Sequence, residues 1–164
     1  MRYVPHCSFP PYRHLPGQTP HPRTHPRGHG YGRQEQYDGA PLREDNWRQN
    51  TPYLFGIDLY NCAYWWEAHE QWEVLWHLAG RQTSSGLYLQ GLIQTAAALI
   101  KWHQGNRRGR GTLWGRGRGK LARVGAVQRV YMGLDLEDFI ERLDGFFASC
   151  DSAADGHPRI VLRG

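Results

Sequence analysis

From Tyr53 onward the apolar residues recur with the 3.6-residue period of helices, and no window sustains the two-residue alternation of a half-buried strand. The clearest run, Gly56 to Ala79, places Asn61, Tyr64, Ala68, Trp72, Leu75 and Ala79 on one face. Trp65, His69 and Trp76 border that face, and Gly80 is a fitting stop. Glu73 lies one turn beyond His69, while Glu67 and Glu70 are expected further round, toward water. Ahead of this run, a short helix is predicted from about Arg43 to Gln49, ending near Thr51-Pro52.

A second long helix is predicted from a cap at Ser84 or Ser85 to Gly105-Asn106. Leu89, Leu92, Ile93, Ala96, Leu99, Ile100 and His103 form its broad face, Leu87, Gly91 and Ala98 another, and Gln90, Gln94, Ala97 and Lys101 the stripe between. A helix apolar on most sides belongs in the middle of a bundle, and Gly91 with Ala96, Ala97 and Ala98 lets a neighbour approach closely. The third helical stretch, Arg107 to Val130, is the weakest. Gly109, Gly111, Gly115, Gly117 and Gly119 each cost about 1 kcal/mol against Ala in a helix interior. Leu113, Trp114, Leu121 and Val124 still keep helical spacing, so packing is expected to hold it. The last helix is capped by Asp135 and buries Leu136, Phe139, Ile140, Leu143, Phe146 and Phe147.

Composition divides the chain. Residues 1–40 hold seven of the ten prolines, five of the nine histidines and no isoleucine. Such a segment has too little apolar surface to offset the entropy of ordering, and it is expected to be a disordered, solvated Pro/His/Arg-rich tail or at most a weak metal or anion tether. The organisation that follows is an all-α, compact helical bundle of four to five helices over residues 41–150. The disordered extension precedes it, and a loose tail, 151–164, follows it, in which Ile160-Val161-Leu162 is able to dock. Cys7, Cys62 and Cys150 fit neither a disulfide framework nor zinc spacing, which points to a reducing cytosol. The start, Met1-Arg2-Tyr3-Val4-Pro5-His6, lacks the apolar core expected of a signal peptide, and no stretch has the ~20 uncharged apolar residues of a membrane span. The net charge of +5 is uneven, for Lys101 to Arg129 holds nine Lys/Arg and no acid.

The run Tyr60-Asn61-Cys62-Ala63-Tyr64-Trp65-Trp66-Glu67-Ala68-His69-Glu70-Gln71-Trp72-Glu73 resembles the signature of the domain of unknown function 309 family. Leu89-Gln90-Gly91-Leu92-Ile93-Gln94-Thr95-Ala96-Ala97-Ala98, Gly105-Asn106-Arg107-Arg108-Gly109 and Gly133-Leu134-Asp135-Leu136 resemble its later hallmarks, in order, so the likeness spans roughly residues 54–148. The resemblance implies a small cytoplasmic helical-bundle protein of bacteria and archaea, with no assigned reaction. Two departures stand out. The family usually has a small residue such as Gly near Cys62, and its third helix is rich in Ala and Leu rather than in Gly and Arg.

Candidate chemistry gathers on the two long helices. His69 and Glu73, one turn apart, are placed to chelate a divalent metal or to work as an oriented base, with Gln90, Gln94 and His103 facing them from the next helix. The structural alternative is a closed polar layer in which His69 and Glu73 hydrogen-bond to Gln90 or Gln94. The segment lacks the second histidine of the His-Glu-x-x-His zinc motif. Trp72 is expected in the core, with Glu73 or Gln94 accepting from a buried indole, and Trp66 falls off the main face. No Ser or Cys nucleophile stands out. The expected function is a non-enzymatic module that binds a partner or small ligand beside His69, Glu70, Glu73, Gln90 and Gln94. One alternative is a metal-dependent hydrolase with His69, Glu73 and His103 as ligands. Another is nucleic-acid binding through Arg107, Arg108, Arg110, Arg116 and Arg118, with Trp114 stacking on bases. The plainer reading of the basic segment is a solvated face that balances the acidic first long helix.

Overall fold

The computed structural model describes residues 2–33, 37, 39–149 and 156–164. Among these the helices are α1 (Thr51–Asn61), α2 (Trp65–Ala79), α3 (Ser84–His103), α4 (Arg107–Val127) and α5 (Leu136–Ser149). A two-residue hairpin, β1 (Val130–Tyr131) and β2 (Leu134–Asp135), joins the last two. The all-α class predicted from periodicity holds, with α3 packed against α2 on one side and α4 on the other.

The sequence predicts one helix over 56–79, and here the structure corrects it. The run is broken at Cys62-Ala63-Tyr64, where Ala63 takes φ of 64°. The Ala63 and Tyr64 amides close the end of α1 onto Tyr60 O (3.0 Å) and Leu59 O (2.9 Å). The left-handed conformation costs a non-glycine residue about 1–2 kcal/mol. No Gly or Pro marks the break, so periodicity reads straight through it. The small-residue position of the resemblance adjoins this turn. Residues 43–49 form turns rather than a helix. Pro52 begins α1 instead of ending its predecessor, and the Asn50 side chain caps it by accepting from Tyr53 N at 3.0 Å. Thr83, not Ser84 or Ser85, caps α3 (Gly86 N to Oγ1, 3.0 Å), whereas Asp135 caps α5 as predicted. The hairpin is a second correction. Its strands are too short to show alternation, and it turns on Met132 and Gly133, both with positive φ.

Glycines set two close approaches in the core. A Cβ on Gly56 of α1 would fall 2.2 Å from Trp72 Nε1. The fully buried Trp72 therefore lies flat over that gap and donates to Tyr53 O at 3.3 Å. Where α3 crosses α4, Gly91 and Gly117 leave no room for a side chain, since a Cβ on Gly91 would meet Leu121 at 2.7 Å. Gly111, Gly115 and Gly119 face open space, so in α4 their cost in propensity returns nothing in packing.

The N-terminal extension carries no helix or strand among its described residues, yet it is laid along α1 and α2. Buried Asp58 of α1 accepts the amides of Tyr3 (2.8 Å) and Val4 (2.9 Å). Buried Glu67 of α2 accepts the His14 amide at 2.7 Å. At the other end of the chain, Asn61 clamps Ile160 through both backbone groups (2.7 and 2.8 Å), and Leu162 bridges to Leu134. Ile160 is buried, so this short apolar segment docks. Cys150 and residues 151–155 of the expected tail lie outside the described residues. No helix among the described residues is long and apolar enough to cross a membrane.

Candidate functional site on the edge of helix α2

Helix α2 has two buried flanks. Ala68, Trp72 and Leu75 face the helical core. Glu67 and Glu70, expected to point to water, are instead buried beneath the extension. Glu67 stands in the first turn, where the helix dipole favours a carboxylate. Its Oε1 accepts both the His14 amide and His29 Nε2 (3.1 Å). Its Oε2 is buried and has no hydrogen-bond partner among the described residues. Glu70 is paired with the Arg23 guanidinium of the extension. Half-buried Trp66 lies between them, with the His14 and His21 rings nearly perpendicular to its indole, each centroid 5.3 Å away. A cavity of about 150 Å³ opens beside these groups, lined by Glu67, Glu70, Trp66, Arg23, His29 and Arg33 among others. That volume admits several waters or one guanidinium-sized group.

His69 continues this edge. Its Nδ1–H donates to the Trp66 carbonyl, and its Nε2 lies 3.4 Å from Glu70 and 3.9 Å from Glu73. Burial lowers the His69 pKa below its ordinary 6.5, outweighing the Trp66 carbonyl and Glu73, which raise it. A neutral imidazole anchored through Nδ1 turns the Nε2 lone pair toward two carboxylates. Ligand atoms of His69, Glu70 and Glu73 all lie within 4.8 Å of one another.

The expected partners from the next helix do not join this group. Gln94 Oε1 accepts from Lys120 Nζ of α4 at 3.0 Å, and half-buried Gln90 lies one turn before it. Gln94 therefore belongs to the α3–α4 seam, and the predicted seam with α2 is corrected. His103 is exposed, with its ring 6.0 Å from that of Trp65, so it adds no ligand beside Glu73. The indole acceptors also differ from expectation: Trp72 uses a backbone carbonyl rather than Glu73 or Gln94. Periodicity failed here because Gln90 and Gln94 border two apolar faces of α3, and only the choice of neighbour decides which helix they meet.

The basic segment divides as well. Trp114 is buried, donates to Asp144 Oδ1 at 2.8 Å and packs against Phe147, so its ring is not available to stack on a base. Arg118 pairs with the same carboxylate at 2.8 Å, and the Arg110 guanidinium lies 5.8 Å from the Phe147 ring centre. Arg107, Arg108 and Arg116 are exposed on α4. Sequence reasoning missed Glu67, Arg23, His14, His21 and His29 as neighbours. The visible hint was charge complementarity between a Pro/His/Arg tract and three carboxylates on one helix.

Residues 53–113 match the family model described as Domain of unknown function (DUF309). The matched stretch runs from the first turn of α1 through α2 and α3 into the first two turns of α4, so it includes every carboxylate of the edge. No curated protein matches the chain.

Proposed function

We propose that this chain, a DUF309-family protein over residues 53–113, is a non-enzymatic binding module whose recognition face is the Trp66–Glu73 edge of α2. The ligand it suits is a hydrogen-bond-donating cationic group, a guanidinium or an ammonium, carried by a small molecule or a partner. The observation that carries this reading is Glu67 Oε2, a buried carboxylate oxygen without a donor among the described residues, beside a cavity of about 150 Å³. Leaving such an atom unpaired costs about 1–3 kcal/mol, more for a charged group, and a donor entering the cavity removes that cost. The test is a thermal melt with arginine amide and with simple alkylammonium salts. At a ligand concentration ten times Kd, Tm should rise by roughly 3–6 °C, and Glu67→Gln should abolish the rise. Equal melting curves with and without every probe would remove the reading.

A second reading, a metal-dependent hydrolase, draws support from His69, Glu70 and Glu73. A neutral histidine held by a backbone carbonyl plus two carboxylates is a donor set suited to zinc or manganese, with room for water as a further ligand. Against it, the Arg23 guanidinium already neutralises Glu70. Elemental analysis of protein purified without a histidine tag discriminates: below ~0.1 metal per chain this reading is discarded.

A further inference from the structure

The extension that covers the α2 edge repeats itself: His21-Pro22-Arg23 is followed by His25-Pro26-Arg27. The first copy is engaged. Arg23 sits on Glu70, His21 lies against Trp66, and Pro22 is buried as part of the cavity wall. His29 follows onto Glu67. In the second copy, Pro26 and Arg27 are exposed. The stretch is neither helix nor strand but a run of local turns, with Gly28 N bonded to His25 O at 2.7 Å and Gly30 N to Pro22 O at 3.0 Å, so a short segment of the same sequence carries the means to adopt the same shape. The carboxylate beneath it is built rather than incidental. The Glu67 side chain is 5% exposed, and among the described residues its Oε2 has no donor with residues 2–33 in place, so that stretch satisfies this edge incompletely.

We propose that the α2 edge is a receptor for a proline-containing, turn-forming polypeptide segment carrying Arg and His, and that residues 21–29 of this chain are its built-in competitor. The proposal rests on the binding reading above and adds the class of partner and its regulation. Charge complementarity selects the occupant: Glu67 and Glu70 take guanidinium and imidazole, and Trp66 packs perpendicular to imidazole rings. Proline suits the incoming segment because a chain already confined loses less freedom on docking. Because the competitor is tethered, its local concentration is on the order of millimolar, and an outside segment must exceed that advantage. A partner with two His-Pro-Arg units at suitable spacing would do so, since it also offers a donor to Glu67 Oε2.

The experiment uses the full chain and a fluorescein-labelled peptide of residues 19–31, followed by anisotropy. Weakening the competitor with Arg23→Ala and His29→Ala together should tighten peptide binding at least tenfold over the unsubstituted chain. Glu67→Gln with Glu70→Gln should abolish it, as should R23E and R27E in the peptide. Unchanged affinity in the first variant overturns the proposal. Hydrogen exchange on the unsubstituted chain guards against a variant that fails to fold: saturating peptide should speed exchange of the Arg23, Thr24 and Gly30 amides, and no change overturns the proposal independently. If arginine amide still raises Tm while the peptide fails, the peptide inference falls alone. If neither binds, the binding reading falls with it.

Discussion

The two flanks of helix α2 are buried by different physics. On one flank Ala68, Trp72 and Leu75 pack against α1 and α3, and the contacts are apolar, close and dependent on the glycine gap at Gly56. On the other, Trp66, Glu67 and Glu70 are covered by a chain without regular structure, held through carboxylates, imidazoles and backbone amides. The first flank gains from removing oily surface, about 25 cal/mol per Å², with no need of charge. The second must recover the cost of burying carboxylates through each bond it forms. On the reading proposed above, the first flank is the permanent face of α2 and the second the exchangeable one.

The largest effect should come from breaking the permanent flank. Trp72→Ala removes a fully buried indole, and such truncations cost about 3–5 kcal/mol. For a chain of this size that lowers Tm by roughly 10 °C, measurable by circular dichroism. Gly56→Ala attacks the same contact from the other side. Its Cβ would lie 2.2 Å from Trp72 Nε1, and overpacking of this kind costs about 1–3 kcal/mol. Both losses should be insensitive to salt. A Gly56→Ala chain as stable as the original would mean that the indole has another seat.

Cutting the anchor of the extension should cost less, because the extension is able to leave. Asp58→Ala strips the acceptor from the Tyr3 and Val4 amides. A buried and a partly buried amide without acceptors would cost up to about 1–3 kcal/mol each, but once the segment lifts off, water satisfies them and the loss is capped. The expected result is a drop of about 1–2 kcal/mol in denaturant unfolding. Amide exchange should accelerate at residues 3–7 while α3 stays protected. Uniform acceleration across α1, α2 and α3 would show that both flanks unfold as one.

The difference between the flanks also governs what was legible in the sequence. Helical periodicity located α3, α4 and α5 and the core role of Trp72, because burial against another helix leaves a 3.6-residue signature. It did not reveal the break at Ala63, since a left-handed turn taken by alanine has no compositional mark. It assigned Glu67 and Glu70 to water, since charged residues off the apolar face are nearly always solvated. What buries them is a segment poor in apolar residues, whose attachment uses backbone amides that no hydrophobicity count registers. His69 and Glu73 were recognised as neighbours because helix geometry fixes residues four apart. Gln90, Gln94 and His103 were misassigned because contact across helices depends on their mutual rotation, and pattern alone does not supply it.

A smaller effect is expected from Arg23→Ala. The Arg23 side chain is 46% exposed, and ion pairs of that kind contribute about 0–1 kcal/mol. Global stability should barely move, whereas proteolysis within residues 21–29 should quicken at low salt. High salt should erase the difference between variant and original, because it screens the pair in the original as well.

The smallest effect in the working pH range concerns His14, which is buried on the exchangeable flank. Burial lowers its pKa below the ordinary 6.5, and the neighbouring His21 and His29 lower it further. The docked extension therefore favours the neutral ring, and the released extension takes up a proton more readily. Above pH 6.5 neither form binds the proton and docking is at full strength. As pH falls from 6.5 toward the lower value of the docked state, the released form gains protons first and docking weakens. Amide exchange at residues 12–19 should accelerate between pH 7.5 and 5.5, after correction for the intrinsic rate, while α2 and α3 stay protected. His14→Gln should flatten that dependence without loosening the core. A pH response that spread equally to Trp72 and its neighbours would mean that the two flanks are coupled, and that the extension is part of the permanent fold rather than an occupant of it.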